Sequence, residues 1–324
     1  MVRAIARRLA TGAVTLLLVT AIVFALAAMS TGSSLPGESV EDTSPLTPEQ
    51  RAEIRALYHF DEPLHVRYGM WLQDLLRGDL GRSFHDRRPV AAKIAERLPA
   101  TLALNAAALL LMILVSVPLG ALAASSPGSL LDRAAGSATY ALYSIPVFWA
   151  ALLLQLAFAI RLGWLPLYGT QTSGMEAAPL VARLHDRLAH FVLPTVCLAY
   201  PGFAYLSRFV RGILVDNAAA ESARAARARG LAPSAVVIRH GFRQAAVPLL
   251  TLAGFLLPRL VGGSVIVETI FAIPGLGHLF VGAMFQRDIP VVMGLTLLSG
   301  AATLGGVVAA DLLYAVADPR VRRA

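Results

Sequence analysis

Long uncharged runs, rather than short alternations, organise this sequence. Residues 9–29 give 21 without a charge, 101–124 give 24, 134–160 give 27 and 289–310 give 22. Residues 191–207 add 17, extendable at both ends, and 245–270 is long enough although it carries Arg259 and Glu268. A helix of about 20 apolar residues crosses the hydrocarbon core, and a spanning segment must satisfy its own backbone. The pattern predicts an all-α polytopic membrane protein with six transmembrane helices.

The first run has the outline of a signal peptide: Arg3, Arg7 and Arg8 precede it, and Ala25-Leu26-Ala27 resembles a cleavage site. Its apolar core exceeds the usual about 7–15 residues, which favours a retained helix.

Basic residues in short loops orient such a bundle. With the N-terminus inside, segments 1–8, 125–133, 208–244 and 311–324 carry 3, 1, 7 and 3 basic residues. The short outside loops, 161–190 and 271–288, carry 3 and 1. Both termini are therefore expected in the cytoplasm. Three regions follow: 1–29, a cytoplasmic start and first helix; 30–100, an extracytoplasmic helical segment; and 101–324, a five-helix core with a cytoplasmic loop at 208–244.

Two polar segments are too long for plain connectors. In 30–100, Pro48-Glu49-Gln50-Arg51 starts one helical pattern. Tyr68, Met70, Trp71, Leu72, Leu75 and Leu76 carry another, broken by Gly78-Asp79-Leu80-Gly81. This segment reads either as a cap on the membrane domain or as a docking surface. In 208–244, the Ala/Arg-rich string from Glu221 runs to Gly230, a natural stop, and Pro233 can start a second helix. This helix–turn–helix reads as a surface that another protein approaches closely or as a basic helix resting on anionic lipid.

Composition agrees with the pattern. Apolar types make up 56% of 324 residues and charged types 15%, and the mean hydropathy is +0.65. These figures exclude a disordered chain. Cys197 is the only cysteine, which excludes a disulfide scaffold and reads as a small core residue. The pI near 10.2 is accounted for by the inward positive charge, so no nucleic-acid partner is needed. Lys93, the one lysine, lies between Ala92 and Ile94. The chain therefore has no Walker A motif and hydrolyses no ATP by that chemistry.

Few groups suggest chemistry at depth. Arg259 stands mid-span, where a charge costs about 2.5–3.5 kcal/mol on the lenient insertion scale. It either pairs across subunits or meets substrate in the pathway. His185 and His190, with Asp186, do not share a helix face well, and no metal site is expected. A secondary carrier would show paired acids at mid-membrane and an internal repeat. An intramembrane protease would show a catalytic constellation. Neither pattern is present.

Ala225-Ala226 followed by Gly230 resembles the loop of binding-protein-dependent ABC importer permeases. The string Arg224 to Leu231, with Arg239-His240 and Arg243, is similar to the peptide and nickel branch, its B-type subunit above all. Further blocks in that family's order are Leu46-Thr47-Pro48-Glu49-Gln50, Leu76 to Gly81, Arg97 to Thr101, Leu162 to Pro166, Val267 to Phe271, Pro274 to Gly277, Asp311 to Ala315 and Asp318 to Arg322. Two departures bear on the resemblance: Arg224 stands where the classical loop has glutamate, though the peptide branch commonly has arginine there too, and Gly32 to Ser39 is a degenerate form of a Pro-Gly-Asp-Pro turn.

The resemblance implies the type I importer permease fold in a bacterial inner membrane. It implies a second homologous permease, one or two ABC ATPases that hold ATP and Mg, and an extracytoplasmic solute-binding protein. The permease itself would be non-catalytic and hold no cofactor. Glu221, Arg224, Ala225, Ala226, Gly230 and Leu231 would form the coupling helix seated in an ATPase groove. The implied substrates are di- and oligopeptides. The same machine importing a nickel chelate, glutathione, an opine or an antimicrobial peptide remains the alternative.

Overall fold

The computed structural model describes residues 2–31, 49, 59, 61–219, 228–231 and 264–317. Described residues are helical apart from turns and one isolated bridge, Arg82 with Pro89. In order they form α1 (Val2–Thr31), α2 (Leu64–Leu76), α3 (Val90–Ser125), α4 (Leu130–Tyr143) and α5 (Val147–Leu154). A π-helical stretch (Gln155–Arg161) continues α5, and α6 (Leu180–Ala219), α7 (Val265–Ile270), α8 (Leu276–Phe285) and α9 (Ile289–Ala317) follow.

Four described stretches are long and apolar enough to cross a membrane: Ala6–Met29, Val90–Ser125, Leu180–Ala218 and Ile289–Leu312. The α4–α5 pair makes up to five if its two halves are one bent span. Much of this apolar surface is exposed, including Leu18, Leu26, Leu114 and Leu153, as expected where acyl chains or another subunit take the place of water. The sixth expected span, 245–270, lies outside the described residues up to residue 263.

The 134–160 run differs from its straight-span expectation. It bends by 93° between α4 and α5. Pro146 caps α5, and proline disfavours the helical region for the residue before it, which favours the end of α4 ahead of Ile145. The Tyr200 hydroxyl donates to the freed Ile145 carbonyl at 2.5 Å. Charge counting is blind to this break because it contains no charge. The 191–207 run, by contrast, grows into α6, 40 residues long with Pro194 and Pro201 inside it.

The described residues fall into two compact units, one drawn from 1–101, 261–265 and 274–305, the other from 102–260, 266–273 and 306–324. In the first, Val90, Ile94, Leu276, Val291 and Leu295 form a buried core. Small residues let its helices meet: a Cβ on Gly294 would lie 2.6 Å from Val90 Cγ1, and one on Gly12 would strike Leu304. Helix α2 joins α1 through Tyr68, whose hydroxyl donates to Leu17 O at 3.0 Å and lies 2.9 Å from Thr20 Oγ1. Gly78 and Gly81, both at φ +80, end this segment where the sequence predicts its break.

In the second unit, Ala108, Met112, Ala199, Leu206, Val210 and Leu214 bury the α3–α6 seam. A Cβ on Gly120 would stand 2.5 Å from the Ser207 carbonyl and 2.9 Å from Val210 Cβ, and one on Gly202 would strike Met112. Small residues at such seams are the usual means of close helix approach in lipid. Cys197 is fully buried and free.

Candidate functional site

The segment after α6 holds most of the predicted site. Glu221, Arg224, Ala225 and Ala226 lie outside the described residues, as does Arg259. Gly230 and Leu231 are described. Ala228 is helical, Arg229 and Gly230 form a turn, and Leu231 is half-buried. Gly230 takes φ +88, and among the described residues nothing lies within 4 Å of where its Cβ would be. Glycine is needed there for its backbone conformation.

The end of α6 that leads into this loop is held by charge. Arg211 donates from Nε to Asp132 Oδ1 at 2.5 Å and from Nη2 to Asp132 Oδ2 at 2.6 Å. Asp132 also accepts from Gly128 N at 2.8 Å, and its own N–H goes to the Ser129 cap at 3.2 Å. A forked guanidinium matches a carboxylate in this way, fixing angle as well as distance. One helical turn away, the Arg208 guanidinium lies 3.5 Å over the Tyr140 ring. These groups wall a cavity of about 750 Å³ between α3, α4 and α6.

Elsewhere in this unit, polar side chains anchor connecting segments. Gln155, a lone amide within an apolar run, is buried at the first residue of the π-helical stretch. Its Nε2 donates to Leu167 O at 2.8 Å and to Ile270 O at 3.3 Å. Gly169 N donates to Phe271 O at 2.8 Å, so one loop is stitched to both α5 and α7. Asp186 accepts from Thr172 N at 2.8 Å and Thr172 Oγ1 at 2.6 Å. His190 Nδ1 lies 2.8 Å from Asp186 O. Asp186 is thus committed to the loop and His190 to the helix backbone. Among the described residues no three metal-ligating side chains cluster.

The first unit carries a separate ionic cluster. The one lysine, Lys93, reaches Asp86 Oδ2 at 2.9 Å, Ser83 Oγ at 3.0 Å and Asp288 Oδ2 at 3.9 Å. Asp288 is buried and accepts from Ser83 Oγ and, at 3.0 Å, from Phe84 N. Partial burial pushes the Asp86 carboxyl up. The Lys93 hydrogen bond, with Arg88 N, Ser83 and the Lys93 charge, outweighs this and holds it at about 2. The cluster ties residues 83–93 to the segment between α8 and α9.

Sequence reasoning found the Gly230 turn but missed Asp132–Arg211, Gln155 and the role of Lys93. Gln155 and Lys93 carried a signal, since each is the sole residue of its kind in its context. The Asp132–Arg211 pair, 79 residues apart, carried none.

Against known proteins, residues 116–323 match the family model for the "Binding-protein-dependent transport system inner membrane component". Residues 1–105 match the model described as "Binding-prot-dependent transport system membrane comp, N-term". The chain is 37% identical over 272 residues to the oligopeptide transport system permease protein AppB of Bacillus subtilis (strain 168), covering 84% of each chain. It is 36% identical over 318 residues to a putative peptide transport system permease protein of Brucella abortus (strain 2308), covering 98% of each. It is 33% identical over 334 residues to the di/tripeptide transport system permease protein DppB of Pseudomonas aeruginosa (strain UCBPP-PA14), again covering 98% of each.

Proposed function

The chain belongs to the binding-protein-dependent transport system inner membrane components, a multi-pass inner-membrane family, and from that premise we propose that it is the permease subunit of an ATP-driven importer of di- or oligopeptides. The observation that carries the substrate class is likeness along nearly the whole chain to peptide permeases, 98% of each chain in two relatives. A nickel chelate, glutathione or another small peptide-like solute is the alternative cargo for the same machine.

The reading has six transmembrane helices with both termini in the cytoplasm, and an external helical segment at 30–100. The five-helix core, 101–324, forms half of the pathway with a second, homologous permease. One or two ATPases hold ATP and Mg beneath it, and an extracytoplasmic receptor delivers the peptide. ATP binding closes the ATPases, and the loop around Gly230, seated in one of them, transmits that motion to the core. The peptide contributes only through its different affinities for the two states. The left-handed turn at Gly230, φ +88, supports a fixed lever angle there. Glu221, Arg224, Ala225, Ala226 and Leu231 complete the coupling surface.

Arg259 serves the pathway or a partner subunit. Its contact with a peptide carboxylate is excluded if Arg259→Gln transports free-acid and amidated peptides as the wild type does.

The test of function is uptake. Cells lacking this chain but retaining the receptor should lose accumulation of labelled di- and tripeptides, and the restored gene should return it. Unchanged peptide uptake, with loss of another solute instead, would contradict the peptide assignment.

A further inference from the structure

The cavity between α3, α4 and α6 has more positive charge than its own carboxylate can absorb. Gly120, Asp132, Arg133, Tyr140, Arg208 and Arg211 line it. Asp132 is the one acid among these lining residues, and its oxygens are taken by Arg211 and Gly128 N. Arg211 is therefore neutralised in place. Arg133 and Arg208 are both exposed, and among the described residues neither has a carboxylate within ion-pairing distance. The Arg208 guanidinium carbon lies over the Tyr140 ring, 3.5 Å from its centre. Stacking fixes a guanidinium while leaving its edge donors available. The result is one stacked and one exposed cation at a hollow of about 750 Å³, which fits a single phosphate-bearing group.

We propose that this cavity binds the phosphodiester headgroup of an anionic membrane lipid. Phosphate is the shared chemistry of a lipid headgroup and a free ion, and the surroundings favour the lipid. The same helices carry exposed Leu122, Leu131 and Tyr143, surface for acyl chains to cover, and Leu119 and Ala123 give the cavity an apolar wall. Basic pockets between membrane helices at the inner face take anionic headgroups. The proposal goes beyond the import reading and shares with it only the orientation that puts this end inside.

The test uses the full chain, with whatever subunits purify with it, in nanodiscs of equimolar phosphatidylglycerol and phosphatidylcholine. Native mass spectrometry counts the lipids that remain bound after release. Wild type should retain phosphatidylglycerol in excess over phosphatidylcholine. An arginine at an anionic surface is worth about fivefold in affinity, so Arg133→Gln with Arg208→Gln should cut that retention by roughly tenfold or more. Neither side chain is buried, and an unchanged melting temperature in pure phosphatidylcholine would show that the variant is folded. Equal retention in wild type and variant, or no preference in wild type, overturns the proposal. So does saturation by inorganic phosphate in pure phosphatidylcholine discs, which would make the ligand a free ion. Unchanged lipid with loss of an ATPase subunit from the variant would make the surface a protein contact and overturn it equally. No readout is transport or orientation, so failure here and failure of the import reading are separate results.

Discussion

Arg211 and Asp132 form a two-pronged ion pair, at 2.5 and 2.6 Å, between the far end of α6 and the first turn of α4. Asp132 is buried, with Gly128 N as its third donor. Arg211→Ala leaves a buried carboxylate short of its main partner, a loss of roughly 1–3 kcal/mol. A lowered melting temperature in detergent checks this. Asp132→Asn with Arg211→Gln should recover part of the loss, because neither variant residue then carries an unpaired charge.

Gly120 permits the α3–α6 contact: a Cβ there meets the Ser207 carbonyl at 2.5 Å, and backbone cannot swing away. Gly120→Val should destabilise by roughly 1–3 kcal/mol through overpacking. Gly230 behaves differently, since it takes φ +88 and among the described residues nothing lies within 4 Å of its Cβ position. Gly230→Ala should cost roughly 1–2 kcal/mol of local backbone strain, without disturbing the α3–α6 seam. Thermal melts and expressed yield of the two variants separate the cases.

The contrast shows what the sequence could and could not say. Four of the described spans, the helix ending before Gly78, the buried Cys197 and the turn at Gly230 were legible because each depends on local pattern: an uncharged run, a glycine at a break, an apolar neighbourhood. The bend at Ser144-Ile145-Pro146 was missed because a count of charges does not weigh proline. The 191–207 run was legible as extendable at both ends, but the full extent of α6, Leu180–Ala219, was not, because its ends are polar yet still helical. The Arg211–Asp132 and Lys93–Asp288 contacts join residues far apart in sequence, and only the packing of helices brings them together.

The Lys93 cluster makes a prediction in pH. Asp86 sits at about 2, against an ordinary 3.8. A depressed folded value means that its contribution is fully present above the ordinary value and is lost as pH falls through the folded one. The segment 82–93 should therefore stay protected from pH 7 down to about 4 and open between about 4 and about 2. Lys93→Met removes the leading favourable partner and should move that opening upward, toward the ordinary carboxylate range. Hydrogen exchange of residues 82–93 against pH measures both. Opening of the wild-type segment near pH 6 would contradict the assignment.

The lever role of Gly230 can be tested by locking its backbone. Proline fixes φ near −65°, far from the observed +88. Gly230→Pro should assemble at reduced level and hydrolyse ATP without matched peptide accumulation. Wild-type uptake per ATP hydrolysed would remove Gly230 from the coupling mechanism.

The central claim is that this chain works as the membrane half of an ATP-driven importer, and its most direct test is native co-purification. The chain, tagged at its C-terminus, is released gently from membranes, and the proteins that accompany it are identified by mass spectrometry. The account predicts a second homologous permease and one or two ATPases bearing P-loops. If the chain emerges alone or only with itself under several detergents, the coupling account is contradicted.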